Sequence, residues 1–598
     1  MRKEKRYLIS TEDERTWKFD RPVIFLGEWC RLYSQKNIWQ FMDAIVAEPY
    51  GLTQEKKDID YKEARRIEDE LLADLISILN QYHNVNFSKR FWKILLGHWV
   101  YRFVDLILNR VNTLKKCIKK YPFSGITVFD DKDYSLVTDD SLSSIWAVND
   151  SVWNSVLTKK ILDYMENKNF STEIISNKKY TKFQLPSKST NFKNSKKIKD
   201  IFKKGINSIS IFLSKNDDAL ILKTYLSKID EIKLKLLMGQ FPSLSSTFEL
   251  KIDSKLDIEL RKKLGKKLSD KFFKNSKDSI EHYASQLLFE MLPICYLEGF
   301  AKLNDFSSRQ AWPKNPKFIF TSNSFDTDEI FKIYTASKVE AGSAYFVGQH
   351  GNYGVTKNHI NPSIEEITSN KFLTWGWKDS LVQHEKAFMF KINARKLWKY
   401  NSNGCLLLIE VCLNHRLSTF DNTFEYINYL DEQKKLVSNL SEAARNALLI
   451  RLQSAQRNFK WSEDLRWKDF DSGIKLNYGD TPITKLIKNS RLVIHSYDST
   501  GILETLASNI PTLAFWRGEY DHLRPSAIPY YKLLVNAGIV HFTPDSIADK
   551  VNEIWDDIES WWMQDTIQIA RRKFCENYAQ TSENPSEDLK KILLDSLE

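Results

Sequence analysis

Four short segments concentrate side chains that could hold a phosphate or move a proton. In Leu492-Val-Ile-His-Ser-Tyr-Asp-Ser-Thr-Gly-Ile-Leu-Glu504 an apolar run gives way to a polar turn and then to a helical pattern. His495 and the hydroxyls of Ser496, Ser499 and Thr500 gather where that helix starts, where free backbone N–H groups and the helix dipole favour a phosphate. Glu504 follows Thr500 by four residues and shares its face. A carboxylate there can accept both hydroxyls of a ribose or sugar. The plainer alternative makes Ser499 or Thr500 a helix cap and leaves Glu504 in solvent.

The second segment, Val347-Gly-Gln-His-Gly-Asn-Tyr-Gly-Val-Thr-Lys357, presents His350 on a glycine-flanked turn at the end of a strand. Glycine lets a ligand approach the backbone, and a histidine there can act as general base or phosphate donor. The polar-aromatic Thr374-Trp-Gly-Trp377 follows it. In the third segment, Leu449-Ile-Arg451, a strand-end arginine is suited to a bidentate grip on a diphosphate. The fourth, Phe25-Leu-Gly-Glu-Trp-Cys-Arg31, delivers Glu28 to a loop as a candidate base, or as a structural partner of Arg31. His83, Arg90, Trp92 and His98 form a further polar-aromatic patch, read as packing.

Other chemistries lack their signatures. No nucleotide-binding Gly-x-x-x-x-Gly-Lys-Ser/Thr loop, zinc-protease helix, serine-hydrolase elbow or kinase set is present. The triplets Asp58/Asp60, Asp131/Asp133 and Asp326/Asp328 recur without a common context, and Cys412 with His415 has no partner pair. No metal site and no resident cofactor are therefore expected.

The elements that must position these residues alternate. Strands are expected at 7–11, 22–27, 219–226, 318–321 and 344–348, then at 405–411, 447–451, 492–495 and 512–515. Helices are expected at 62–80, 91–119, 278–300, 326–341, 421–445, 500–508 and 545–572. Buried apolar runs of four to six residues alternating with helices indicate parallel α/β sheets.

The chain has 598 residues and a formal charge of +11, of which +9 falls between Lys178 and Lys204: ten lysines against Asp200. The segment 177–207 reads as an exposed basic loop on a nearly neutral globule. A nucleic-acid-binding role would rest on that patch alone, and no nucleic-acid partner is expected. Six scattered cysteines fit a reduced, cytoplasmic protein. The most apolar long window, Phe91 to Asn109, carries Lys93, His98, Arg102 and Asp105, against a membrane span.

Taken together, Phe25–Arg31, Gln349–Gly354, Thr374–Trp377 and His495–Glu504 resemble a bacterial family of transferases from O-antigen and surface-carbohydrate loci. The C-terminal half is similar to GT-B glycosyltransferases and to glycerophosphotransferases of teichoic acid synthesis. It departs from the latter at His495-Ser-Tyr-Asp-Ser499 and Arg451-Leu-Gln-Ser454. The resemblance implies an α/β, GT-B-like fold: two Rossmann-like domains facing a cleft, with a helical elaboration and the basic insert in the N-terminal half. Residues 1–385 would form the acceptor-side domain, 386–545 the nucleotide-donor domain, and 546–598 helices packing back on the first.

By that likeness His350 lies near the catalytic centre and Arg451, Ser499, Thr500 and Glu504 hold the donor nucleotide; the reading of the residues adds Glu28 as an alternative base and His495 and Ser496 on the donor side. Arg31, Gln349, Tyr353 and Trp375 would line the cleft or the acceptor side. The implied activity is transfer of a sugar or sugar-like group from a nucleotide-activated donor to a hydroxyl of a glycan or lipid-linked glycan, beside the inner membrane. Alternatives are a nucleotide-sugar epimerase, a CDP-polyol phosphotransferase of the same fold, or a non-enzymatic glycan-assembly protein.

Overall fold

The computed structural model describes residues 4–165, 169–177, 181–185, 215–241, 254–272, 278–352, 362–392, 394, 401–412, 426–454 and 460–597. Of the basic segment 177–207 only 177 and 181–185 fall among them; the rest, with Tyr353 and His415, lies outside the described residues.

Short apolar strands, buried on both faces, build three parallel sheets. The first joins β1 (Arg6–Ile9), β2 (Val23–Phe25), β3 (Ala44–Val46), β4 (Phe123–Phe129) and β5 (Ser171–Ile175) in the order β3-β2-β1-β4-β5. The second joins β6 (Leu220–Leu222), β7 (Phe318–Thr321), β8 (Ala344–Gly348), β9 (Lys371–Thr374) and β10 (His384–Lys386), each beside its sequence neighbour. The third comprises β11 (Cys405–Ile409), β12 (Leu448–Arg451), β13 (Lys475–Asn477), β14 (Ser490–His495), β15 (Thr512–Phe515) and β16 (Val540–His541). Its order, β13-β12-β11-β14-β15-β16, is the doubly wound arrangement, with the strand order reversing between β11 and β14.

The parallel α/β class is therefore the one expected, but residues 1–385 hold two sheets where a single Rossmann-like sheet with a helical elaboration was expected. The extra sheet is the one containing β3, β4 and β5. Between β3 and β4 run two long helices, Gln54–His83 and Lys89–Lys120. Thr53 caps the first by accepting from the Lys56 N–H, and Asn84 ends it in the left-handed conformation at φ 54°. Ser88 caps the second.

Three expected helices are interrupted; of the run 421–445 the described part divides into Tyr426–Ser438 and Glu442–Asn446. The run 278–300 stops at Met291, before Pro293, whose missing N–H cannot continue the ladder. The run 545–572 divides into Pro544–Ile554, Ile558–Trp562 and Asp565–Tyr578. The last helix, Pro585–Asp595, returns to the second sheet, where Leu589 and Leu593 share a core with Ala219, Phe318 and Phe346. Among the described residues no helix is long and apolar enough to cross a membrane.

Candidate functional site

The second and third sheets meet at the turn that follows β8 and at the helix that follows β14. Gln349, buried after the last residue of β8, spends its side chain on local backbone and ring donors. Its Oε1 accepts from the Trp375 N–H at 2.8 Å and from Trp377 Nε1 at 2.9 Å, and its Nε2 donates to the Gly351 carbonyl at 2.9 Å. These three bonds fix the turn that carries His350.

His350 Nδ1 lies 2.8 Å from the Tyr225 hydroxyl and 3.2 Å from the Ser322 carbonyl oxygen. A carbonyl can only accept, so Nδ1 carries the proton and the lone pair sits on Nε2. The ring opens onto a cavity of ≈ 520 Å³. The walls around it disfavour the imidazolium and hold the histidine below its ordinary pKa, with Lys391 adding to the effect. His350 is thus a neutral imidazole with one unprotonated nitrogen.

Beyond the turn, the helix Thr500–Ala507 begins against it. Thr500 Oγ1 accepts from the Asn352 N–H at 3.2 Å and donates to Asn352 Oδ1 at 3.3 Å. Asp498 binds Asn352 Nδ2 (3.2 Å), His522 Nε2 (2.8 Å) and the Tyr531 hydroxyl (3.0 Å). Glu504, one turn into the helix, meets Lys391 at 3.3 Å. Lys391 in turn lies 4.8 Å over the Tyr225 ring. Burial and the Glu504 charge push the Tyr225 hydroxyl up to about 12, so it stays protonated. A continuous chain therefore links the carboxylate on the Thr500–Ala507 helix to the histidine: Glu504, Lys391, Tyr225, His350.

Ser499 occupies the cap position of that helix but makes no capping bond with its side chain. Arg451, at the end of β12, has its Nε sealed from solvent without a hydrogen-bond partner, and burial lowers its pKa. Tyr497 sits within electrostatic reach of both Arg451 and Glu504 and hydrogen-bonds Ser499. An uncapped helix start and a guanidinium whose buried Nε lacks a partner both present N–H groups that a phosphate oxygen satisfies.

The chain matches a family model, described as LIC12162 family transferase, over residues 6–593. It belongs to that family. The chain is therefore a transferase, and the site above is read in that light. No curated protein matches it. Among solved structures, a variant of the wall teichoic acid polymerase TagF is similar with a TM-score of 0.31 and 10% identity, covering 67% of this chain and 95% of that one. WaaG, a glycosyltransferase involved in lipopolysaccharide biosynthesis, gives a TM-score of 0.20 and 11% identity, covering 78% of this chain and 99% of that one. Likenesses at these scores carry no argument.

Several expected site residues have structural posts instead. His495 is buried beneath the helix, 2.6 Å from where a side chain on Gly501 would start, and burial pushes it down to about 3. Ser496 donates to the Ile409 carbonyl at 2.9 Å and meets the Tyr429 hydroxyl at 2.6 Å, so it ties the strand ends together. The Thr500 hydroxyl is committed to Asn352. Gln349 and Trp375, expected to line the cleft, are buried and support the turn from behind.

Glu28 has both oxygens engaged by Arg31 at 2.8 and 2.9 Å, and Arg31 lies 4.9 Å over Trp39. This pair belongs to the first sheet, and Glu28 shares no hydrogen bond or ion pair with His350. The aspartate triplets are likewise internal: Asp60 pairs with Lys56, Asp131 with Lys159 and Lys160, and Asp326 with Arg102. Among the described residues no group of three or more His, Cys, Asp or Glu is placed to hold a metal ion.

Tyr225, Lys391, Asn352 and Asp498 were not anticipated. Tyr225 and Lys391 are distant in sequence from every motif, and only the arrangement of the strands brings them to His350. Asn352 and Asp498 lay within the quoted motifs, flanked by residues with more obvious chemistry.

Proposed function

We propose that the chain is a glycosyltransferase-like enzyme of surface-polysaccharide (O-antigen) biosynthesis, moving a sugar or sugar-like group from a nucleotide-activated donor to a glycan hydroxyl. The observation that carries this reading is the uncapped helix Thr500–Ala507, whose Glu504 is linked through Lys391 and Tyr225 to His350, together with the unpartnered Nε of Arg451 at the end of β12.

In this reading Arg451, Ser499 and the helix N–H groups hold the donor diphosphate, and Glu504 takes hydroxyls of its ribose or sugar. His350 Nε2 removes the proton of the acceptor hydroxyl as its oxygen bonds to the donor carbon. The bond from that carbon to the phosphate oxygen breaks, and the electron pair leaves with the diphosphate. Arg451 and the helix dipole stabilise the charge that develops there. No metal enters this scheme.

The same reading assigns the chain to the cytoplasm, where nucleotide-activated donors are made. Its lysine-rich stretch would lie against the anionic inner-membrane surface that carries lipid-linked acceptors. Co-sedimentation with anionic vesicles, with and without 177–207, tests that contact.

Thermal shift against CMP, CDP, UDP and GDP tests the donor site. The matching nucleotide should stabilise the chain by about 2.7 kcal/mol at a hundredfold excess over its Kd. No shift with any of the four would overturn the donor site. Turnover of a nucleotide-sugar without any acceptor would replace transfer by epimerisation.

A further inference from the structure

The cavity that His350 faces is walled mainly from the first sheet's side. The helices Gln54–His83, Lys89–Lys120 and Ser141–Ala147 contribute most of its lining, and the helix Ile364–Thr368 closes it from the second sheet. Its ≈ 520 Å³ is in the range of pockets that enclose small ligands.

The lining is aromatic and carries little free charge. Tyr61, Trp99, Phe103, Trp153 and Phe325 supply flat apolar walls. Charged groups on the lining are paired with one another. Arg102 grips Asp326 with two bonds, at 2.6 and 2.7 Å; Arg65 pairs with Glu68 and Asp105; Lys93 lies 3.5 Å from Asp69. A strongly charged ligand would find no uncompensated counter-charge here.

One polar pair remains unspent. His98 Nε2 and Glu365 Oε2 stand 3.4 Å apart and neither atom has a hydrogen-bond partner, while the Glu365 side chain also bonds Ser363. The His98 ring stacks on Phe325 at 5.5 Å between centroids, and Phe325 meets the His350 ring edge-on at 6.3 Å. The pair therefore stands one ring away from the proposed base. Burial pushes Glu365 up to about 8 and His98 down to about 3, so near neutral pH the pair is an uncharged acid beside an uncharged imidazole. Neutral donors and acceptors between aromatic faces suit a ring with hydroxyls on its edge and C–H groups on its faces.

We propose that this cavity is the acceptor pocket and that it takes one neutral sugar ring, with His98 and Glu365 holding its hydroxyls and His350 meeting the one that reacts. The proposal rests on the transferase reading above and adds the acceptor's chemical class and place. It gives the first sheet a function, since its helices supply most of the pocket.

Saturation-transfer NMR of the full chain with a panel of neutral methyl hexosides tests it. At least one should bind wild type, and Glu365→Leu and Ile145→Trp should each weaken binding about tenfold or more. Ile145→Trp fills the pocket without touching the polar pair, so it decides the matter if Glu365→Leu fails to fold. Absence of binding by every hexoside, undiminished binding in the folded variants, or preference for hexuronates or hexose phosphates would each overturn the proposal. The nucleotide shift is read on the same samples. Hexoside binding without that shift upholds the pocket and rejects the donor site; the shift without hexoside binding does the reverse.

Discussion

Thr500 Oγ1 receives the Asn352 backbone N–H at 3.2 Å, so the turn bearing His350 is fastened directly to the start of the helix Thr500–Ala507. The approach is tight. A Cβ on Gly351 would begin 2.6 Å from the same hydroxyl oxygen. The two halves of the site are thus held in register by contact between one turn and one helix start.

Thr500→Val keeps the shape and removes the hydroxyl that accepts the Asn352 N–H and donates to Asn352 Oδ1. A loss of about 1–3 kcal/mol is expected in denaturant unfolding. Gly351→Ala should lower kcat more than nucleotide affinity, because the displaced group is the histidine turn. Unchanged kcat in Gly351→Ala would mean that the turn does not position the base.

His350→Ala should lower kcat by about 10²–10⁴-fold while leaving the nucleotide thermal shift intact. The pH profile carries a sign. A base must be unprotonated, and the surroundings of His350 lower its pKa from 6.5, so the acid limb of kcat/KM should fall below pH 6.5. A limb above that value would assign the base to another group.

Arg451→Ala should weaken nucleotide binding by about 1.5–3 kcal/mol, the range for a hydrogen bond to a charged group. Stability without ligand should hold or rise, since the guanidinium makes no ion pair in the described structure and its Nε is unsatisfied. Isothermal titration and thermal unfolding on one preparation give both numbers. Large destabilisation of the free protein would show that Arg451 is structural.

Glu410, buried at the end of β11, accepts from Trp467 Nε1 at 3.1 and 3.2 Å and is pushed from 4.5 up to about 8 by burial. The folded state then binds a proton more tightly than the unfolded one, so this group takes stability away as pH rises from 4.5 towards 8. Glu410→Gln should flatten that slope and gain most on wild type at the alkaline end. Parallel slopes in urea unfolding across that window would rule out the buried acid.

Much of the third sheet was legible because its strands are continuous apolar runs with helices between them, as in Leu492–Ile494 and Thr512–Phe515. In the first sheet only β1 and β2 were legible, as the apolar runs at 7–11 and 22–27. β3 is three residues long, β5 carries the exposed polar Ser171-Thr-Glu173, and two helices of 30 and 32 residues separate β3 from β4. His98 was read as packing because a histidine in an apolar helix resembles core. Its partner Glu365 is distant in sequence, and nothing local joins them. His350, Arg451 and Glu504 stood out as strand-end or helix-start residues with chemistry. Ser496 and His495 stood out on the same grounds and proved to be internal supports.

The return of the Pro585–Asp595 helix to the second sheet has a consequence for synthesis. Leu589 and Leu593 cover part of the face that holds Ala219 and Phe318, so that part of it stays uncovered until residue 593 has left the ribosome. Domains generally fold in order as they emerge. Here the second sheet must wait for the third, and the nascent chain carries an open apolar face across more than 350 residues of translation, from Ala219 to Leu593. A chaperone that shields such a face has its longest task on this segment, and loss of the last helix would fall hardest on a sheet encoded far upstream.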